Sequence, residues 1–175
     1  MKKLFVTVIA FFALTQVLFA QDIVFAQNDK VINASFGFGN TIYNGSGWKT
    51  AFPSVLLSGE YGIIDGLIDG KASIGAGVDL GYAGMKYNVN SSFHKYSSLI
   101  LGARGSFHYQ FIDKLDSYTG LLTGYNIVSG NSDYAISEFV WRCYVGVRYY
   151  LTNNFALMSE IDNVFLFSVG VAYKF

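Results

Sequence analysis

Ser106 and His108 are the residues best placed, by type and spacing, to do chemistry. They stand two apart in an alternating stretch and so share a face. A hydroxyl beside an imidazole is the start of a nucleophile-and-base pair. Every arginine (Arg104, Arg142, Arg148) and every glutamate (Glu60, Glu138, Glu160) falls on that same polar parity of its own segment. The run Gly75-x-Gly77-x-x-x-Gly81 has the wrong spacing for a dinucleotide loop, since position 80 is Leu and no helical pattern follows. Glycine facing the crowded side of a strand explains it better. His94 and His108 are the only histidines and fall toward opposite ends of the pattern, so they cannot share a metal. Cys143 is the only cysteine, which excludes an intramolecular disulfide and a Cys-rich metal site. The chain is expected to hold no cofactor, no metal and no catalytic residue.

Eight alternating segments position these residues. In Lys30–Gly39, Ile32, Ala34, Phe36 and Phe38 share one face, and Val31, Asn33, Ser35 and Gly37 the other. The second strand runs from about Pro53 to Tyr61, with Pro53 at its start, where a missing N–H is tolerated. The third, Lys71–Tyr82, is the clearest: Ala72, Ile74, Ala76, Val78, Leu80 and Tyr82 oppose Lys71, Ser73, Gly75, Gly77, Asp79 and Gly81. The fourth places Leu99, Leu101, Ala103, Phe107 and Tyr109 against Ser98, Gly102, Arg104, Ser106 and His108. Leu115–Ile127 is a weaker fifth strand whose pattern Leu122 breaks. The sixth alternates Phe139, Trp141, Cys143, Val145, Val147 and Tyr149 with Glu138, Arg142, Tyr144, Gly146 and Arg148. Phe155–Asp162 and Val164–Phe175 complete the set, the last with Phe165, Phe167, Val169, Val171, Tyr173 and Phe175 on its apolar face.

Residues 1–20 read as a signal peptide. Lys2 and Lys3 precede the apolar run Leu4–Phe19, and Ala20 before Gln21 is a plausible cleavage point, with Ala26 before Gln27 a second. A short segment, 21–29, then leads into the strands of 30–175. Charged residues are 14% and aromatics 18%, against roughly 25% charged in soluble proteins. After the N-terminus no run approaches the ~18 apolar residues of a membrane helix. Net charge is zero and no basic stretch appears, so nucleic-acid binding has no electrostatic footprint.

Polar connections near 40–52, 83–95 and 128–137 alternate with shorter ones near 62–70, 110–114 and 151–154; the brief turn at 162–163 breaks the rule. Aromatics gather at strand ends: Tyr61, Tyr109, Tyr149, Phe155, Tyr173 and Phe175 at one rim, Tyr82, Tyr125, Trp141 and Phe165 at the other. Long external loops, short periplasmic turns and two aromatic girdles describe an outer-membrane barrel. The fold expected is therefore all-β: an eight-stranded antiparallel up-and-down transmembrane β-barrel, both termini periplasmic, with its charges inside. Eight strands enclose a space about filled by side chains. Buried charges must pair, so Glu60, Arg104, Arg142 and Glu160 are expected to form a structural interior network.

Lys71–Tyr82 and the ending Gly170-Val-Ala-Tyr-Lys-Phe175 resemble the small eight-stranded bacterial outer-membrane β-barrel proteins of the OmpA transmembrane domain and OmpX type. The resemblance implies that Phe175, with Tyr173 and Val171, is read as the membrane-insertion signal. It also implies outer-membrane lipid, lipopolysaccharide and the barrel-insertion machinery as partners, with a possible extracellular ligand or host surface at the loops. With the chain ending at Phe175, the wall-anchoring role of longer members is not expected. Some barrels of this size are lipid A-modifying enzymes, whose deacylase type carries His and Ser two apart. Here the order is Ser-x-His and the face is inward, whereas that site must face lipid. The expectation is a non-catalytic barrel with a structural or surface-interaction role. The alternatives are a minor channel or lipid A-modifying enzyme, and a soluble periplasmic lipocalin-like carrier in which Phe36, Ile74 and Val171 line a cavity.

Overall fold

The computed structural model describes residues 23–42, 47–89, 92–130 and 137–175. The expected signal peptide, 1–20, lies outside the described residues. Eight strands follow in chain order: β1 Lys30–Phe38, β2 Trp48–Gly66, β3 Ala72–Val89, β4 Ser92–Tyr109, β5 Leu115–Gly130, β6 Glu138–Tyr150, β7 Phe155–Asp162 and β8 Leu166–Lys174. A single helical turn, Leu67–Gly70, joins β2 to β3. Each strand pairs antiparallel with its sequence neighbour, and β1 pairs with β8, Ile32 opposite Tyr173 and Phe38 opposite Phe167, closing the barrel. Closure leaves no strand edge unpaired, which a sheet in lipid requires.

Alternation decides what each face meets. Phe36, Val78, Leu101 and Val145 are 57%, 62%, 55% and 62% exposed, while Arg142, Arg148 and Glu60 are buried inside. An unbroken apolar surface of this extent is not stable in water and suits lipid. The carrier alternative is thereby corrected: Phe36, Ile74 and Val171 point outward. Leu122, which interrupts the pattern of β5, is simply an apolar residue facing in, 1% exposed.

Six expectations are corrected, four of them at the strand ends. β3 and β4 stay paired as far as Val89 and Ser92, so most of the expected loop 83–95 is a two-stranded extension. Past Tyr82 the faces exchange character: Ala83 and Met85 turn inward and are buried while Lys86 faces out, so the apolar-outward alternation ends although the backbone pairing continues. β2 begins at Trp48, and Pro53 lies within the register shift between Phe52 and Val55; a bulge tolerates proline's missing donor. β2 also runs on to Gly66, and β5 to Gly130.

The other two corrections concern side chains. Glu138 keeps inward parity but sits exposed at the rim. Phe165, expected on the lipid face, is fully buried in the lumen, while Leu166 is exposed. Asp162 Oδ1 accepts the Val164 and Phe165 amides at 2.6 and 2.7 Å, making a tight turn. Leu166 then takes φ +59°, which shifts the phase by one residue. The inverted ring fills the space left by Gly81, where a β-carbon would strike it.

Candidate functional site

The lumen is filled in layers, beginning at the terminal end, where β1 begins and β8 finishes. Residues 23–29 cross that mouth as a strap. The Val24 amide donates to Gln110 Oε1 at 2.7 Å, and in the backbone the Asn28 amide donates to the Gly62 carbonyl and the Gly62 amide to the Asp29 carbonyl, both at 2.9 Å. Lys174 Nζ donates to the Val24 carbonyl at 2.9 Å. Phe25 thereby enters the barrel and is 1% exposed. A strap without alternation carries no sequence signal for such a plug.

Above Phe25 lies a closed ring of four charged or polar groups. Arg148 reaches Glu60 Oε2 at 2.5 Å and Asp116 Oδ2 at 2.9 Å. His108 faces the other oxygens of the same carboxylates, Nδ1 at 2.8 Å from Asp116 and Nε2 at 3.2 Å from Glu60. Arg148 Nε completes its bonding on Asn33 at 3.0 Å. The fork of a guanidinium suits two carboxylates at once.

The next layer belongs to Arg104 and Arg142. Arg104 reaches Asp79 and Glu160, both at 3.1 Å, and Ser58 at 3.3 Å. Arg142 reaches Asp79 at 2.6 Å and Glu160 at 3.3 Å. Tyr118 ties the layers together: its hydroxyl donates to Glu160 at 3.1 Å, and the Arg148 guanidinium lies 4.4 Å from its ring centre. Toward the far end, Leu56, Met85, Ile100, Leu122, Val164 and Phe165 form an apolar stopper.

Of the four network residues read from the sequence, Arg104, Arg142 and Glu160 meet in one layer. Glu60 belongs to the ring below and pairs with Arg148 and His108. Asp79, His108, Asp116 and Arg148 were the members missing from that set. Their inward parity was legible, but alternation does not say which strands face one another across a lumen.

Ser106 and His108 are not joined. Ser106 Oγ lies 2.7 Å from the Tyr144 hydroxyl, and both imidazole nitrogens face carboxylates. No ring nitrogen is left to take a proton from Ser106, so the pair does not form a nucleophile and base. Among the described residues no cluster of His, Cys, Asp or Glu could hold a metal ion.

At the opposite end of the chain, Phe175 and Tyr173 are exposed with rings 5.0 Å apart, and Val171 shares their outward face. The Phe175 amide donates to the Lys30 carbonyl at 2.9 Å, continuing the seam between β8 and β1.

No protein-family model and no curated protein sequence matches the chain. Solved structures of the same fold do. A de novo designed transmembrane β-barrel is similar at 19% identity and TM-score 0.53, over 85% of this chain and 97% of that one. The outer-membrane protein OprG of Pseudomonas aeruginosa is similar at 11% identity and TM-score 0.53, over 88% and 99%. Ail, the attachment invasion locus protein of Yersinia pestis, crystallised with the heparin analogue sucrose octasulfate, is similar at 11% identity and TM-score 0.50, over 85% and 99%. The chain has the fold of an eight-stranded transmembrane β-barrel.

Proposed function

We propose that the protein is a non-catalytic outer-membrane barrel whose role is structural or surface-interacting, exercised through the strand extension and loops of its far end. One observation carries this reading: the lumen is occupied from Phe25 to Phe165 by paired charges and packed rings. Such a filling rigidifies a narrow barrel and obstructs conduction. In this reading Glu60, Arg104, Arg142 and Glu160 serve structure, residues 1–20 are removed as a leader, and both ends of the mature chain lie in the periplasm. Phe175, Tyr173 and Val171 present the signal for the insertion machinery. The neighbour crystallised with a sulfated heparin analogue supports a surface-ligand role, and the far end offers Trp48, Tyr87 and His94 in adjacent register positions for such contacts.

The test is to express the full chain, isolate outer membranes, and compare unboiled with boiled samples on an SDS gel. A mobility shift confined to that fraction is expected, with cleavage at the far end by trypsin added to intact cells. Recovery of the protein as a soluble periplasmic species sinks the reading. Steady conductance in planar bilayers would favour the channel alternative, and loss of lipid A acyl chains on expression the enzyme.

A further inference from the structure

Three lysines stand abreast at the far end. Lys49 on β2 is the register partner of Lys86 on β3, and Lys86 is the partner of Lys95 on β4. Directly opposed residues of antiparallel strands share a face, with β-carbons about 4.5–5.5 Å apart, and like charges so placed are destabilising. Among the described residues, no carboxylate forms a salt bridge with any of the three. Strand parity turns the row outward, the direction of Tyr82 and Leu99 in the belt below, and not into the lumen. Lys86 lies four residues past Tyr82. At about 3.4 Å per residue and a tilt of about 40°, that is roughly 10 Å above the girdle, just outside a headgroup layer of roughly 5–7 Å. Lysine stems reach back toward such a boundary.

Beneath the row the outer wall is hollowed. A cleft of about 350 Å³ is lined by Phe52, Tyr82, Gly84, Lys95, Ser97 and Gly130. Gly84 leaves room for the Phe52 ring to lie against the strand there, where it walls the cleft and stacks on Tyr82 with ring centroids 5.7 Å apart. An aromatic-walled cleft under a row of cations, both open to the lipid side, matches one molecule with an anionic head and an apolar body. A soluble anionic glycan would satisfy the lysines and leave the cleft unused.

We infer that Lys49, Lys86 and Lys95 hold the phosphate groups of a lipid of the surrounding leaflet, whose apolar part lies along Phe52 and Tyr82. The inference rests on the outer-membrane reading above and names a partner for its far end. Lysine is a point charge well suited to phosphate, and each basic residue at a membrane surface adds to the attraction.

The full chain and the variant K49Q/K86Q/K95Q are placed in nanodiscs of zwitterionic phosphatidylcholine doped with lipid A, either bisphosphorylated or dephosphorylated. Bound lipid is counted by native mass spectrometry. The wild type should retain the bisphosphorylated lipid, and the variant should retain at least about tenfold less. Dephosphorylation should reproduce that loss, and Phe52→Ala should weaken lipid retention several-fold while leaving a soluble heparin fragment unaffected. Equal retention by wild type and variant, or indifference to phosphate, overturns the inference. A heparin fragment that binds the wild type as tightly as lipid A, with Phe52→Ala silent toward both, assigns the row to soluble glycans and overturns it too. All variants should keep the heat-dependent gel shift. A wild type without that shift removes the outer-membrane reading together with this one, whereas a shifted protein with lysine-independent retention removes this one alone.

Discussion

Phe25 stacks on His108, ring centroids 4.1 Å apart and planes inclined by 30°. One residue precedes the first strand and the other lies on β4 inside the barrel. The contact makes the strap part of the core: it covers the imidazole, and the Arg148 guanidinium sits 5.8 Å from the same phenyl ring.

Phe25→Ala should therefore behave as a core truncation, although its position lies outside every strand. A loss of about 3–5 kcal/mol is expected, as for buried phenylalanines elsewhere, and Phe25→Leu should restore more than half. Urea unfolding from lipid vesicles, followed by the fluorescence of Trp48 and Trp141, measures it. An unchanged midpoint for Phe25→Ala would show that the strap does not seat.

Arg148→Met should be among the most damaging single changes. It strips the shared cation from Glu60 and Asp116, and breaking a buried pair costs about 3–5 kcal/mol. The triple change Arg148→Met, Glu60→Gln, Asp116→Asn should cost less than Arg148→Met alone, because no unpaired carboxylate remains. If instead the costs simply add in the same unfolding assay, the ring is not a coupled unit.

Gly146→Ala tests the crowding of the lumen. A β-carbon there would meet the Tyr118 ring at Cζ and the hydroxyl, so overpacking of about 1–3 kcal/mol is expected. In a Tyr118→Leu background the same substitution should be nearly silent. A thermal gel-shift series on the four proteins gives the coupling; equal penalties in both backgrounds would refute the contact.

Lys114→Gly should act in the opposite direction. Lys114 is exposed and holds φ +62° in the turn before β5. Its carbonyl accepts the Tyr150 amide at 2.8 Å, a bond that glycine retains. Left-handed backbone is strained for a residue with a β-carbon and easy for glycine, so stability should rise by up to about 1 kcal/mol. A fall would mean that the turn relaxes without strain.

Much of the architecture was legible because a membrane barrel writes it locally. Period-two alternation marks strands, the nature of the two faces says which one meets lipid, and aromatics mark the rims. Where one of these conditions lapses, so did the reading. β3 and β4 continue past Tyr82, where the apolar Ala83 and Met85 lie on the inward face and Lys86 on the outward one. At Leu166 a single left-handed residue exchanges the faces of Phe165 and its successor. Phe25 lies in a segment with no period at all.

What the sequence determined by itself was the number of strands, their order and the inward set of charged residues, since each depends on a residue and its near neighbours. Only the closed structure decided partners. Arg148 meets Glu60 across 88 residues, and Arg104 meets Glu160 across 56. Which inward side chains share a layer follows from strand tilt and register around the whole ring, quantities set jointly by all eight pairings and by no one stretch of chain.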